Sequence, residues 1–300
     1  MIFLKKPLII LTGPTAVGKT KLSISLAKAV NGAIISADSM QVYRHMDIGS
    51  AKIRPEEMRG VPHYLIDVLD PSEEFHVVKF VELAHEAMEK IYAAGQIPIV
   101  TGGTGFYIQA LLKEVDFTES HGELPIRKEL EEKAATVYGA AELYQKLSEV
   151  DPASAETIHP NNVKRVIRAL EYYYETGQKI SEHNEEQKQK ESPYCSAYFV
   201  LNDERSILYD RIDRRVDQMI CDGLVDEVFR LKEMGYTSEL VSMQGLGYKE
   251  LFPYLAGECS LEEAIYIIKR DTRHFAKRQL TWFRREKDVI WLNKPDFEYD

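Results

Sequence analysis

Cysteine is scarce in this chain: three in 300 residues, at Cys195, Cys221 and Cys259. They are far apart, odd in number and never spaced C-x-x-C, which argues against a disulfide framework and against a thiolate zinc site. They read as small, half-buried side chains. Long apolar runs are also missing. None approaches the ~20 residues a membrane-spanning helix needs. The opening MIFLKKPLIIL sets lysines inside its apolar stretch, so it reads as a first strand and not as a leader. The expectation is a cytoplasmic monomer without membrane attachment. Internal repeats and low-complexity tracts are absent as well. Positive charge is in short supply overall, with 38 Lys and Arg against 48 Asp and Glu, a net charge of −10. A uniform deficit would exclude polyanionic partners, but local distribution decides that question. From Lys269 to Lys287 eight basic residues stand against two acids, Asp271 and Glu286.

What is present is ordinary globular material, 44% hydrophobic and 29% charged, in a length that suggests about two domains. The most informative stretch is PLIILTGPTAVGKTKLSISL, Pro7 to Leu26. An apolar run ends at Gly13, Pro14, Thr15, Ala16 and Val17 follow, and Gly18, Lys19 and Thr20 open an amphipathic helix. That is the G-x-x-x-x-G-K-[ST] phosphate loop between the strand and helix it requires. Backbone N–H groups of such a turn, backed by a helix N-terminus, form a positive cradle for phosphate oxygens. Lys19 adds a point charge, and the Thr20 hydroxyl suits Mg²⁺.

Ala33 to Ser36 reads as a second strand ending at Asp38, where ligands bind in open α/β sheets; a helix-capping acid reads equally well there. His63 to Val68 is a third strand candidate, in which Asp67 reads first as a plain structural acid and only then as a second acid near a metal. A turn at Asp70, Pro71 and Ser72 precedes a helix from about Glu73 to Ala94. Gln96 to Thr101 makes a fourth strand running into GGTGFY, Gly102 to Tyr107, glycines that permit close backbone approach to a ligand or simply a tight turn. From Asp116 to Ser192 only helical periodicity is found: Leu124 to Tyr138, Ala141 to Val150, a start at Asp151-Pro152, and Asn161 to Thr176, with Ser181 to Ser192 reading as a solvated, mobile segment. Lys164 and Arg168 share a helix face. The sheet resumes at Cys195 to Leu201. Asn202 and Asp203 then cap a helix bearing Arg205, Arg211, Arg214 and Arg215. Helices over Gly223 to Met234, Gly247 to Leu255 and from the capping box Ser260-x-x-Glu263 to Arg285 follow, and Val289 to Leu292 closes the sheet. The expected fold is α/β: a P-loop NTPase-like parallel sheet with flanking helices, formed by 1–115 and 193–300, plus an inserted all-helical domain at 116–192.

Seven blocks occur in order: GPTAVGKT, ISADSMQVYRHMDIGSAK, HYLIDVLDP, TGGTGFYIQALL, KRVIRALE, GLGYKE and KRQLTWFR. Together they closely resemble the bacterial tRNA dimethylallyltransferases, the IPP transferase family. The resemblance implies transfer of a dimethylallyl group from dimethylallyl diphosphate to the exocyclic N6 amine of adenosine 37, in the tRNA anticodon stem-loop, with Mg²⁺. It implies that Gly13 to Thr20 hold the diphosphate and that Asp38 is the general base. It maps tRNA contacts onto Asp38, Ser39, Met40, Gln41, Thr104, Arg127, Lys164, Arg165, Val166, Ile167 and Arg168, and onto Met243, Gln244, Gly245, Leu246, Gly247 and Tyr248. Many members carry Gln where this chain has Lys164.

The chemistry fits these residue types. An adenine amine is a weak nucleophile, whereas an allylic carbon bearing diphosphate is a good electrophile. The protein must neutralise charge on the leaving diphosphate, a task for Lys19, Mg²⁺ on Thr20, loop N–H groups and an arginine such as Arg211 or Arg215. The loop alone is equally compatible with a small-molecule kinase. A prenyltransferase for free adenine nucleotides would not need the insert, and a non-catalytic RNA-binding module would make Asp38 dispensable.

Overall fold

A computed structural model describes residues 5–116 and 125–294. The chain divides into two compact units, Met1–Leu112 with Pro193–Asp300, and Lys113–Ser192. In the first, β1 (Lys6–Thr12), β2 (Gly32–Ser36), β3 (His63–Tyr64), β4 (Ile97–Gly102), β5 (Tyr194–Asn202) and β6 (Ile290–Asn293) form one sheet in the order β3-β2-β4-β1-β5-β6. Every pairing is parallel. Central β1 meets β4 at Ile10↔Val100 and β5 at Ile10↔Tyr198. Its run Leu8 to Leu11 is apolar without alternation because helices cover both faces of a parallel sheet. Leu8 and Ile10 pack into one apolar layer and Leu11 into the other. Burying each such side chain stabilises the fold by about 1.5–3 kcal/mol.

Helices α1 (Lys19–Val30), α2 (Val77–Ala93) and α3 (Gly105–Lys113) connect the first strands. Beyond the second unit, α9 (Arg205–Cys221), α10 (Leu224–Glu233), α11 (Leu251–Leu255) and α12 (Leu261–Phe283) complete the core. The capping box forms as expected: Ser260 Oγ accepts from Glu263 N, and Glu263 Oε2 from Ser260 N at 2.9 Å. No helix among the described residues is long and apolar enough to cross a membrane.

Several sequence expectations change. The third strand shrinks to His63–Tyr64 because Leu65 and Asp67 take left-handed backbone, φ 63° and 55°, which ends the pleat. Helix α2 starts at Val77 and not near Glu73, since Glu73 Oε2 accepts from Asp70 N and extends the turn until His76 caps the helix. Gly247 is not helical: a 3₁₀ turn at Ser242–Gln244 precedes the five residues of α11. Asp203 does not cap α9; its Oδ2 receives Arg211 Nη1 at 2.5 Å. Cys195 and Cys221 are exposed and not half-buried; Cys259 is partly buried.

The second unit holds α4 (Pro125–Ala134), α5 (Gly139–Val150), α6 (Pro152–Thr157), α7 (Val163–Thr176) and α8 (Ile180–Gln189) around a core of Leu130, Leu143, Leu147, Val166, Ile167 and Leu170. Leu124, expected to begin the first of these helices, lies outside the described residues. The stretch expected to be mobile is helix α8. Buried Asp151 explains its start: its Oδ1 accepts from Ser154 N and Ser181 Oγ, and its Oδ2 from Ser154 Oγ and Ser181 N, at 2.6–3.1 Å. The solvated character holds, since α8 buries no residue. The unit's two ends meet, Lys113 Nζ donating to Lys190 O at 2.7 Å and Asp116 N to Gln187 Oε1 at 3.0 Å.

Candidate active site

Strand β1 delivers the chain into a turn that reverses at Gly18, φ 100°, from which α1 departs. Lys19 Nζ folds back over this loop and donates to Gly13 O at 3.0 Å and Pro14 O at 2.8 Å. Burial pushes its ammonium down to about 8; Asp38 opposes that shift and Arg215 adds to it. Pro14 and Val17 are buried beneath the loop, whereas Thr15, Ala16, Gly18, Lys19 and Thr20 line an open cavity of about 710 Å³.

At the carboxyl end of β2, Asp38 enters the same cavity. Its Oδ1 accepts from Met40 N at 2.8 Å, which fixes the carboxylate against the following turn. Ser39, Met40 and Gln41 line the cavity beside it, as do Thr104, Arg211 and Arg215. The Gln41 side chain is engaged within the protein: Oε1 accepts from Ser36 Oγ at 3.0 Å and Nε2 donates to Ala51 O at 3.3 Å. Arg211 and Arg215 sit one helical turn apart on α9 but differ. Arg211 is paired with Asp203, while Arg215 makes no hydrogen bond or ion pair among the described residues and senses the Asp38 charge. Burial lowers Arg215, with Asp38 opposing.

The 244–249 segment closes the cavity. Gln244, Gly245, Leu246 and Gly247 face it, whereas Met243 and Tyr248 are fully buried behind it, so their side chains support the wall and do not present a surface. An apolar side is furnished by Tyr43, Phe75, Tyr107, Val216, Ile268 and Phe275. Burial holds the Tyr43 and Tyr107 hydroxyls up at about 12. Asp67 is not a metal acid: Lys52 Nζ bridges Asp67 Oδ1 at 2.5 Å and Asp47 Oδ1 at 2.6 Å. No cluster of three metal-ligating side chains exists among the described residues. The Thr20 hydroxyl at the cavity is a hard oxygen donor of the kind Mg²⁺ takes.

Of the remaining candidates, Arg127, Lys164, Arg165, Val166, Ile167 and Arg168 belong to the helical unit. Val166 and Ile167 are buried in its core, so their side chains are engaged there and not at the surface. Lys164 and Arg165 are exposed. Buried Glu171 Oε2 accepts from Arg168 Nη1 at 2.9 Å and Arg127 Nη1 at 3.5 Å, which gathers these two cations.

Two buried residues of the core were not anticipated. Glu227 on α10 accepts from Asp47 N and Ile48 N at its Oε2 and from Gly49 N and Tyr248 Oη at its Oε1, at 2.7–3.1 Å. Gln279 on α12 bonds to Thr15 and Gly103. Each had a signal: Glu227 falls on the apolar face of Leu224, Val228 and Leu231, and Gln279 on that of Ala276 and Phe283, where a polar residue needs a partner.

The family described as IPP transferase matches residues 41–286. The chain belongs to the IPP transferase family. It is similar to the tRNA dimethylallyltransferase of Lachnoclostridium phytofermentans, with 66% identity over 98% of this chain and 94% of the relative. The corresponding enzyme of Acetivibrio thermocellus is 51% identical over 97% and 93%. Among solved structures, the full-length tRNA isopentenylpyrophosphate transferase of Bacillus halodurans superposes with a TM-score of 0.74 at 47% identity, covering 99% of this chain and 92% of that one. A eukaryotic dimethylallyltransferase acting on tRNA reaches a TM-score of 0.84 at 35% identity, covering 96% and 74%. The IPP transferase core is thus a P-loop-like parallel sheet with flanking helices.

Proposed function

We propose that this IPP transferase moves a dimethylallyl group from dimethylallyl diphosphate to the N6 amine of adenosine 37 of tRNA, releasing diphosphate. The observation that carries the reading is one cavity of about 710 Å³ lined by a phosphate loop with Lys19, an arginine without a protein partner, a carboxylate and an aromatic wall. The loop N–H groups, Lys19 and Arg215 hold the diphosphate. Arg215 is the better placed arginine because Arg211 is neutralised by Asp203. Negative charge arriving on Lys19 restores the full ammonium that burial weakens. Tyr43, Phe75 and Tyr107 give the C5 chain an apolar, electron-rich surface that suits developing allylic cation character.

The amine attacks the allylic carbon, the C–N bond forms as C–O breaks, and diphosphate leaves with the bonding pair. Asp38 takes the amine proton, since the tyrosine hydroxyls around it are held neutral. Mg²⁺ on Thr20 and the diphosphate would supply further charge neutralisation. Adenosine must leave the anticodon-loop stack to reach this depth, at a cost of roughly a few kcal/mol. The exposed cations Lys164 and Arg165, with Arg127 and Arg168 gathered by Glu171, suit the RNA backbone.

Incubation with labelled dimethylallyl diphosphate, Mg²⁺ and unmodified tRNA, in parallel with AMP and with ATP, tests the reading. Label is expected only in tRNA, at adenosine 37. Label in AMP, or ATP turnover without prenyl transfer, overturns it.

A further inference from the structure

Gln279 lies near the C-terminal end of α12, surrounded in sequence by Lys277, Arg278, Arg284 and Arg285, yet it is 6% exposed. Its amide bonds at both ends. Oε1 accepts from Thr15 N at 2.9 Å, 264 positions away, and Nε2 donates to Gly103 O at 3.0 Å, 176 positions away. One side chain therefore spans from the diphosphate loop to the β4–α3 turn that presents Thr104 to the cavity. The fit is close: a Cβ on Gly103 would lie 2.0 Å from Gln279 Nε2. The same turn is fixed on its other side, where a Cβ on Gly102 would lie 2.3 Å from Ala37 O, one residue before Asp38. Loop, turn and Asp38 strand end are thus held in a single chain of contacts with the amide at its centre.

An amide suits this position for a chemical reason. The turn offers a carbonyl and the loop offers an N–H, so the bridging group must donate at one end and accept at the other. Apolar side chains satisfy neither, and a carboxylate satisfies only the loop. We infer that Gln279 is a positioning residue that sets the distance between the leaving diphosphate and the acceptor amine, a role that rests on the prenyl-transfer reading above. It lines the cavity, but both ends of its amide are engaged within the protein, by Thr15 N and Gly103 O. Its effect falls on turnover, because a reaction between two bound groups depends steeply on their separation, with about a 1 Å misplacement costing about 10²-fold.

The test uses the full chain carrying Gln279→Met, Gln279→Glu or Gly103→Ala, with kcat for tRNA prenylation, Kd for inorganic pyrophosphate, Kd for tRNA and Tm measured for each. Gln279→Met and Gly103→Ala are expected to lower kcat about 10- to 100-fold, while both Kd values stay within about threefold of wild type. Gln279→Glu gives a readout that a packing role would not move. Its carboxylate repels Gly103 O, but the protonated acid can donate to Gly103 O and accept from Thr15 N, so its kcat relative to wild type should rise as pH falls.

Unchanged kcat in Gln279→Met overturns the inference, as does a kcat loss matched by equal loss of both affinities. A flat pH ratio for Gln279→Glu also overturns it, and this variant keeps the question open to test if Gly103→Ala does not fold. Wild type run alongside separates the two readings: no prenyl transfer by wild type refutes the proposed function, whereas transfer by wild type and variants alike refutes only the role of Gln279.

Discussion

The Gly13–Thr20 loop and the wall formed by the 38–51 and 244–249 segments border one cavity but are built in opposite ways. The loop is eight consecutive residues, Gly13 to Thr20, whose lysine even bonds to its own carbonyls. The wall joins the 38–51 segment to the 244–249 segment, and what holds them is Glu227, 178 to 180 positions from the three N–H groups it receives and 21 from Tyr248. Phosphate recognition can be local because a turn and a helix N-terminus already carry the donors. A wall assembled from distant segments has no such short form. It needs separate segments, and a buried acceptor to make their orientation unique.

The strongest way to break this contrast is Asp38→Ala, which is expected to lower turnover by about 10² to 10⁴ while tRNA binding persists in a filter assay. Near-normal turnover would remove Asp38 from the chemistry. Next comes the arginine pair: Arg215→Ala should cost about 10² to 10³ in kcat, and Arg211→Ala, already paired with Asp203, less than a tenth of that factor. Equal losses would show that the Asp203 pairing does not decide which arginine serves the diphosphate.

Glu227→Gln should sharpen the comparison by damaging one side only. The neutral amide cannot accept all four donors, so stability should fall by about 2 kcal/mol and the KM for tRNA should rise, with pyrophosphate affinity unmoved. Raised Kd for pyrophosphate would mean that loop and wall are not separable.

The smallest effect belongs to the helical unit, where Asp151 does the analogous work. Burial raises its pKa, but the bonds from Ser181 and Ser154 outweigh this and hold it below the ordinary 3.8. A depressed carboxyl stabilises the fold above 3.8, and that contribution disappears as pH falls through the folded value. Asp151→Asn should therefore cost about 1 kcal/mol at pH 7 and flatten the acid limb of thermal melts below pH 4. An unchanged acid limb would exclude Asp151 as its source.

The legibility of the chain follows the same division. The alternation of apolar runs and amphipathic helices was enough for the parallel sheet, and the Gly13–Thr20 loop was readable because every part lies within one window. Asp38 was readable from its place after a strand. For Glu227 and Gln279 the apolar helix face signals burial but not the partners, since all of these except Tyr248 Oη are backbone groups, which carry no residue identity. The shortened third strand has a related cause: left-handed backbone at Leu65 and Asp67 leaves the apolar pattern of HYLIDV intact. Helix α8 escaped notice because it buries nothing, and its reason for folding is a carboxylate thirty positions upstream.

The meeting of Lys113 with Lys190, and of Asp116 with Gln187, has a consequence for how such a chain can change. A segment whose exit and return lie side by side can be lengthened, shortened or exchanged as a cassette without dragging the sheet strands apart. The core is left a single joint to heal, and the helical unit can be rebuilt while the sheet keeps its register.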